Sequence, residues 1–222
     1  DTHPLLRERK EKKILILVIT ADKGLCGGFN SNILRKAVGV LNENASKEVA
    51  LITAGKKGHN FFRARNVEIL RDYSGWTKKI DFSKAVEVGD VLMKLYLENS
   101  VDKIYVVYNE FKSVIQQEVV LEQLLPIVPQ KLEGDELAVD YIYEPDELSI
   151  LENLLKKYMN VEVYRAFLES AASENGARMT AMDNATRNAS EMIDSLTLHY
   201  NKARQAYITK ELIEVVNGAE AL

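Results

Sequence analysis

One stretch decides the fold, and it runs from residue 147 to residue 217: ELSILENLLKKYMNVEVYRAFLESAASENGARMTAMDNATRNASEMIDSLTLHYNKARQAYITKELIEVVN. It contains no proline and one glycine, Gly176, whereas ordinary globular helices run to about 20 residues. The stretch therefore predicts one continuous helix, which would be roughly 105 Å long. Asp146 is placed to cap its start, and Gly218 is placed to end it in the left-handed conformation.

The predicted helix carries an apolar stripe with alternating steps of three and four residues, as in Leu151, Leu154 and Tyr158 and again in Met182, Ala185 and Ala189. Such a stripe is typical of a helix that pairs with another helix. No other segment of the chain is long enough to cover it. The sequence therefore predicts that the partner of this helix is missing from this chain.

Composition excludes several classes of protein. The 29 basic and 33 acidic residues give a net charge of -4, which is unlike a nucleic-acid-binding protein. No run of 18 apolar residues indicates a membrane span. One cysteine, Cys26, excludes an internal disulfide and fits a reducing compartment.

Strands and helices alternate before the long helix. The apolar, largely β-branched run at 14–20 predicts a strand covered on both faces. Further strands are predicted at 48–53, 67–73, 103–108 and 116–125, the last antiparallel at an edge, with helices at 33–41, 55–65 and 82–98. This pattern predicts a small Rossmann-like mixed α/β sheet domain over residues 14–140. Residues 1–13 are interpreted as a linker, and residues 141–222 as the region of the long C-terminal helix.

The glycine-rich turn after the first strand is the first candidate for chemistry. Gly24, Gly27 and Gly28 follow that strand and precede a helix, as in a dinucleotide-binding turn. Their spacing matches neither G-x-G-x-x-G nor the phosphate loop, so tight turning is the preferred interpretation. Cys26 lacks a resolving partner and is interpreted as a small apolar filler. No catalytic residue, cofactor or metal site is predicted.

Two other interpretations stay open from the residues alone. One is an α/β nucleotide-binding enzyme with a helical oligomerisation tail. The other is a structural coiled-coil adaptor that belongs to no enzyme complex.

Four motifs carry a resemblance to a known family. They are DKGLCGGFN at 22–30, YEP at 143–145, ARMTAMDNATRNASEMID at 177–194 and NKARQAYITKELIEVVNGAEAL at 201–222. The chain closely resembles the gamma subunit of F-type ATP synthase over its whole length. Members of that family have a long N-terminal helix that coils against the C-terminal one. The resemblance therefore implies that the missing partner is a helix preceding Asp1, which forms an antiparallel coiled coil with the long C-terminal helix.

The resemblance implies the central stalk of a rotary motor. Such a shaft turns inside a hexamer of alpha and beta subunits, and its α/β domain sits with the epsilon subunit on the c-subunit ring. It couples proton transport to ATP synthesis or hydrolysis, while the alpha and beta subunits hold the catalytic residues. The resemblance therefore implies a non-catalytic subunit, peripheral to the membrane through the c ring. A bacterial inner membrane, on its cytoplasmic side, is the expected location.

Matching motifs also implies the contact positions. In this sequence the beta-subunit contacts would be Arg178, Arg204, Gln205 and Thr209. The c-ring contacts would be Tyr141, Tyr143 and Glu144. The segment held in the upper bearing of the hexamer would include Leu212, Ile213, Val215, Val216 and Leu222.

Overall fold

The computed structural model describes residues 3–76, 80–129 and 146–220. Its elements in chain order are β1 Lys13–Ile19, α1 Phe29–Glu43, β2 Glu48–Ala54, α2 Lys56–Arg63, β3 Ile69–Asp72, α3 Phe82–Leu97, β4 Lys103–Phe111, β5 Gln117–Leu125 and α4 Glu147–Glu220. The chain divides into two compact units, Asp1–Thr180 and Ala181–Leu222. Helix α4 contributes to both.

The first unit is built on a mixed five-stranded sheet with the order β3-β2-β1-β4-β5. Strands β1 to β4 are parallel, and β5 pairs antiparallel with β4. Strand β1 is central, and its residues from Ile14 to Ile19 are fully buried. This is why it consists of a continuous apolar run and shows no alternation.

Helices cover both faces of the sheet. Ile14, Ile16 and Val18 pack in one core with α1 and α2. The alternate side chains Leu15, Leu17 and Ile19 pack in the other core with α3 and the beginning of α4. Successive side chains of a strand point to opposite faces, so β1 contributes to both cores.

The segment before β1 is bound to the sheet domain at several points. Leu5 is buried, and its carbonyl accepts a hydrogen bond from Ile127 N–H at 2.9 Å. Glu11 contacts Lys103 at 2.6 Å and Lys47 at 2.7 Å, and these hydrogen bonds lower the pKa of the Glu11 carboxyl. The predicted domain boundaries after residues 13 and 140 stay predictions.

Helix α4 is a single element of 74 residues, as predicted. Asp146 caps it, since the carboxylate accepts hydrogen bonds from Ser149 N–H at 2.8 Å and from the Ser149 hydroxyl at 2.7 Å. The prediction that Gly218 ends the helix is wrong. Helix α4 continues to Glu220, because Gly218 does not take the positive φ that would stop the intrahelical hydrogen bonds.

Within the first unit, α4 buries one side on the sheet domain. Leu155, Met159, Val163 and Phe167 recur every four residues and are buried in the core shared with α3. The predicted pairing stripe lies beside them, and its members Leu154, Tyr158 and Leu168 are exposed. The first part of the helix therefore has two apolar stripes, of which the sheet domain covers one.

The second unit consists of the rest of α4. Every residue from 182 to 219 is exposed, including large apolar side chains such as Met192, Leu196 and Tyr207. The predicted mixed sheet and long C-terminal helix are thus confirmed. The antiparallel coiled coil with a preceding helix stays a prediction.

Candidate partner-binding positions on the long helix

Arg178 is a residue of α4 in the first unit, and its side chain reaches toward the glycine-rich turn. Its guanidinium donates a hydrogen bond to Glu174 at 2.6 Å and reaches the Gly24 carbonyl at 3.5 Å. The side chain is about one quarter exposed. Arg178 is therefore held by its own chain on one side, and its remaining exposed surface could meet a partner.

The glycine-rich turn connects β1 to α1 beside α4. Gly27 has a φ of 55°, a conformation that glycine adopts without strain. Cys26 is buried in the core with α1, and it accepts a hydrogen bond from the Asn30 amide at 3.2 Å. Burial raises the pKa of the Cys26 thiol. The turn is thus a packed corner, in agreement with the interpretation from the sequence.

In a doubly wound sheet, ligands bind at the carboxyl ends of the strands where the strand order reverses. Here that point lies between β1 and β4, because α1 and α2 cover one face and α3 covers the other. Helix α4 occupies it. Arg178 reaches the turn after β1, and the Ser173 hydroxyl donates to the Asn109 carbonyl of β4 at 3.0 Å. The position that would hold a nucleotide is filled by the chain's own helix.

Arg204, Gln205 and Thr209 lie in the second unit and are all exposed. Gln205 and Thr209 are four residues apart and share one face of α4, with Arg204 next to it. This stretch therefore exposes a cation, an amide and a hydroxyl on the helix surface. Each is a hydrogen-bonding group on a rigid helical backbone.

Apolar side chains follow on the same helix. Leu212, Ile213, Val215 and Val216 are all more than half exposed. Ile213 and Val216 continue the face of Gln205 and Thr209, at steps of four and three. Four neighbouring exposed aliphatic side chains suit burial by another polypeptide.

Several predicted positions cannot be placed. Tyr141, Tyr143 and Glu144, the predicted c-ring contacts, lie outside the described residues, and so does Leu222 of the predicted upper bearing. Among the residues that are described, no group of three His, Cys, Asp or Glu side chains could hold a metal ion. Over the same ranges, no helix has the length and apolarity needed to cross a membrane.

One group of interacting residues was not identified from the sequence. One guanidinium nitrogen of Arg165 of α4, Nη2, contacts both carboxylate oxygens of Glu122 of β5, at 2.7 and 2.8 Å, and also Glu162 at 2.7 Å. The buried Tyr108 donates its hydroxyl to Glu122 at 3.0 Å, and burial raises the pKa of Tyr108. Charged residues are common on helices, so only the spatial meeting of α4 with β4 and β5 reveals this network.

Comparison with known proteins gives consistent results. A family model described as ATP synthase matches residues 1–222. The ATP synthase gamma chain of Anaeromyxobacter sp. (strain Fw109-5) is 50% identical over 222 residues, which cover 99% of this chain and 77% of that protein. The ATP synthase gamma chain of Pelotomaculum thermopropionicum is 48% identical over 221 residues, covering 100% of this chain and 78% of that one.

Solved structures show the same fold. A chain in the central stalk and c-ring structure of Tetrahymena thermophila mitochondrial ATP synthase is 25% identical, with a TM-score of 0.62, and the match covers 81% of this chain and 80% of that one. A chain of the Euglena gracilis mitochondrial ATP synthase has a TM-score of 0.72 at 23% identity, over 95% of this chain and 73% of that one. The sheet with its long helix is therefore a known architecture.

Proposed function

Because this chain belongs to the ATP synthase gamma chain family and is a central-stalk subunit of that complex, we propose that its long helix transmits rotation. The rotation would pass between the membrane c ring and the catalytic alpha and beta subunits, and so couple proton transport to ATP synthesis or hydrolysis. One observation carries the proposal: from residue 182 to residue 219, α4 presents polar and apolar side chains that its own chain leaves exposed.

The polar positions suit a contact that must form and break repeatedly. We assign Arg178, Arg204, Gln205 and Thr209 to contacts with beta subunits. An exposed ion pair contributes only about 0 to 1 kcal/mol, so such contacts can respond to a partner without trapping the shaft in one orientation. Leu212, Ile213, Val215, Val216 and Leu222 would instead be enclosed by the hexamer as an upper bearing.

Within the same proposal, Tyr141, Tyr143 and Glu144 contact the c ring, and the epsilon subunit binds the sheet domain. As a gamma chain, the protein is a peripheral subunit of a membrane-associated complex. We place it on the cytoplasmic side of a bacterial inner membrane, since the curated relatives described above are bacterial.

We further propose that the chain holds no catalytic residue of its own. The filled position between β1 and β4 supports this, because Ser173 and Arg178 occupy the place where a doubly wound sheet binds a nucleotide. Equilibrium binding of ATP or NAD to the isolated chain is a direct test. The proposal expects no binding, whereas an α/β nucleotide-using enzyme would bind one of them.

Co-purification tests the central assignment. The tagged chain, expressed from its native source, should bring down alpha, beta and epsilon subunits together. Recovery of the chain without any of these subunits, under conditions in which the ATP synthase stays assembled, would contradict the proposed function.

A double variant tests the contact assignment. Arg204→Ala with Gln205→Ala should lower ATP-driven proton pumping in membrane vesicles, because two hydrogen-bonding groups are lost from the exposed helix. Lys202→Ala, a neighbouring exposed position, is the matched control and should pump normally. Unchanged pumping by the double variant would show that Arg204 and Gln205 do not make the proposed contact.

A further inference from the structure

Three side chains of α4 bind to main-chain atoms of β4 and of the turn between β4 and β5. Glu169 accepts a hydrogen bond from Phe111 N–H at 2.8 Å. The buried Ser173 hydroxyl donates to Asn109 O at 3.0 Å. Thr180 Oγ1 lies 3.2 Å from Val114 O, and at the same distance from Gly176 O within its own helix. We call Glu169, Ser173 and Thr180 the polar row.

The polar row follows a single face of the helix. Its positions, with Gly176 included, are separated by steps of four, three and four residues, which return to the same side of an α-helix. Gly176 provides the close approach, since a Cβ there would lie 3.2 Å from Val114 O and 3.3 Å from the Phe111 ring. The turn between β4 and β5 therefore lies directly against the helix backbone.

Two of the partner residues, Asn109 and Phe111, belong to strand β4, and Val114 belongs to the turn that follows it. Asn109 and Phe111 are both paired with β5, while the pairing of β4 with β1 ends at Val107, so their main chain is held in the sheet through β5. A side-chain partner could follow a turning helix by changing rotamer, but these main-chain atoms cannot. The contacts therefore resist rotation of α4 about its own axis.

The apolar stripe of α4 has a different effect. Met159, Val163 and Phe167 hold the helix on the sheet domain by burial, and the hydrophobic effect is non-directional. Hydrogen bonds weaken steeply when their geometry is disturbed. Burial thus opposes separation, while the polar row adds a preferred rotational position.

We propose that the polar row fixes the rotational register of α4 on the sheet domain, so that torque applied to the sheet domain turns the helix with it. This inference rests on the proposed function, because it assigns Glu169, Ser173 and Thr180 as positioning residues for the transmission of rotation.

The test compares two double variants in the assembled ATP synthase. Glu169→Ala with Thr180→Val removes both polar contacts, while Glu169→Gln with Thr180→Ser keeps an acceptor and a hydroxyl at the same positions. Glu152→Ala, an exposed glutamate on the same helix, is the matched control. For each enzyme, ATP hydrolysis and the largest proton gradient that it sustains are measured in the same vesicles.

The first double variant should assemble and hydrolyse ATP, but its largest gradient should fall by about twofold or more, as expected when hydrogen bonds of ordinary strength are lost under load. The conservative double variant and Glu152→Ala should match the native enzyme. If the first double variant does not assemble, Thr180→Val alone takes its place, because it keeps the shape of a partly exposed side chain.

Two results would overturn the inference. One is a native gradient in the variant that lacks the polar contacts. The other is an equal loss in the conservative variant, since hydrogen bonding would then not be the property that matters. Neither result affects co-purification with the alpha, beta and epsilon subunits, so failure of the inference and failure of the proposed function can be told apart.

Discussion

The two parts of α4, Glu147–Thr180 and Ala181–Glu220, belong to one helix but have opposite surroundings. Met159 in the first part is 0% exposed, whereas Met192 in the second is 65% exposed. Both parts carry apolar residues at helical spacing. The comparison teaches that spacing predicts which residues share a face, while burial depends on what lies against that face.

Polar contacts differ between the two parts in the same way. Arg165 contacts both carboxylate oxygens of Glu122 on β5, and Tyr108 donates a hydrogen bond to the same carboxylate. Lys210 contacts Glu214, one turn along the same helix, at 3.7 Å. Contacts between elements determine a tertiary arrangement, whereas a contact within one helix adds only to that helix.

The largest expected effect comes from truncating the same residue type in each part. Met159→Ala should lower the free energy of unfolding of the sheet domain by about 2–5 kcal/mol, because it leaves a cavity in a packed core. Met192→Ala should change it by less than about 0.5 kcal/mol. Denaturant unfolding followed by fluorescence of Trp76, the chain's one tryptophan, measures both. Equal losses of unfolding free energy for Met159→Ala and Met192→Ala would contradict the predicted difference between the two parts of α4.

A smaller effect is expected at the two glycines of α4. Gly176→Val places a branched side chain where a Cβ alone would already lie 3.2 Å from Val114 O. Because of this overpacking, the substitution should lower the free energy of unfolding by about 1–3 kcal/mol. Gly218→Val is the control, since a Cβ there has nothing within 4 Å. Its effect on Trp76-monitored unfolding should be below about 0.5 kcal/mol. A tolerated Gly176→Val would show that the turn after β4 can move aside.

The smallest effect is expected at the ion pairs. The Arg165 and Glu122 side chains are 42% and 37% exposed, so solvent screens the ion pair. Arg165→Ala should therefore lower the free energy of unfolding by only about 0.5–1 kcal/mol. Lys210→Ala removes a more exposed pair and should cost less than about 0.5 kcal/mol. The thermal unfolding midpoint of the sheet domain measures the effect of Arg165→Ala. Helix content by circular dichroism measures the effect of Lys210→Ala. A larger loss for Lys210→Ala would reverse the order predicted here.

Most elements of the sheet domain were predictable from the sequence, because apolar runs and helical spacing act locally. The predicted strands and helices agree with the observed ones within a few residues. The main difference is α1, which begins at Phe29 instead of near residue 33. The Asn30 side chain accepts a hydrogen bond from Ala21 N–H at 2.9 Å and donates one to Cys26 Sγ. It thus holds the first turn of the helix against the preceding loop.

The candidate contact positions came from motifs, so they were predicted without coordinates, and they stay predictions. The polar row was not, because Glu169, Ser173 and Thr180 resemble any exposed helix residues in sequence. Their partners are main-chain atoms of Asn109, Phe111 and Val114, and no side-chain pattern marks a main-chain partner. The same holds for Gly176, because the need for a small residue there becomes evident only when the turn after β4 is seen to lie against it.

The sequence by itself determined that this protein has a mixed sheet and one very long helix, because helix and strand periodicity and the scarcity of proline and glycine are local properties. It also determined the family, through long motifs in α4. Only the tertiary structure decided which apolar stripe of α4 the sheet domain buries, and that the helix fills the position between β1 and β4. Those outcomes depend on contacts between residues far apart in the chain, and local propensity does not specify such contacts.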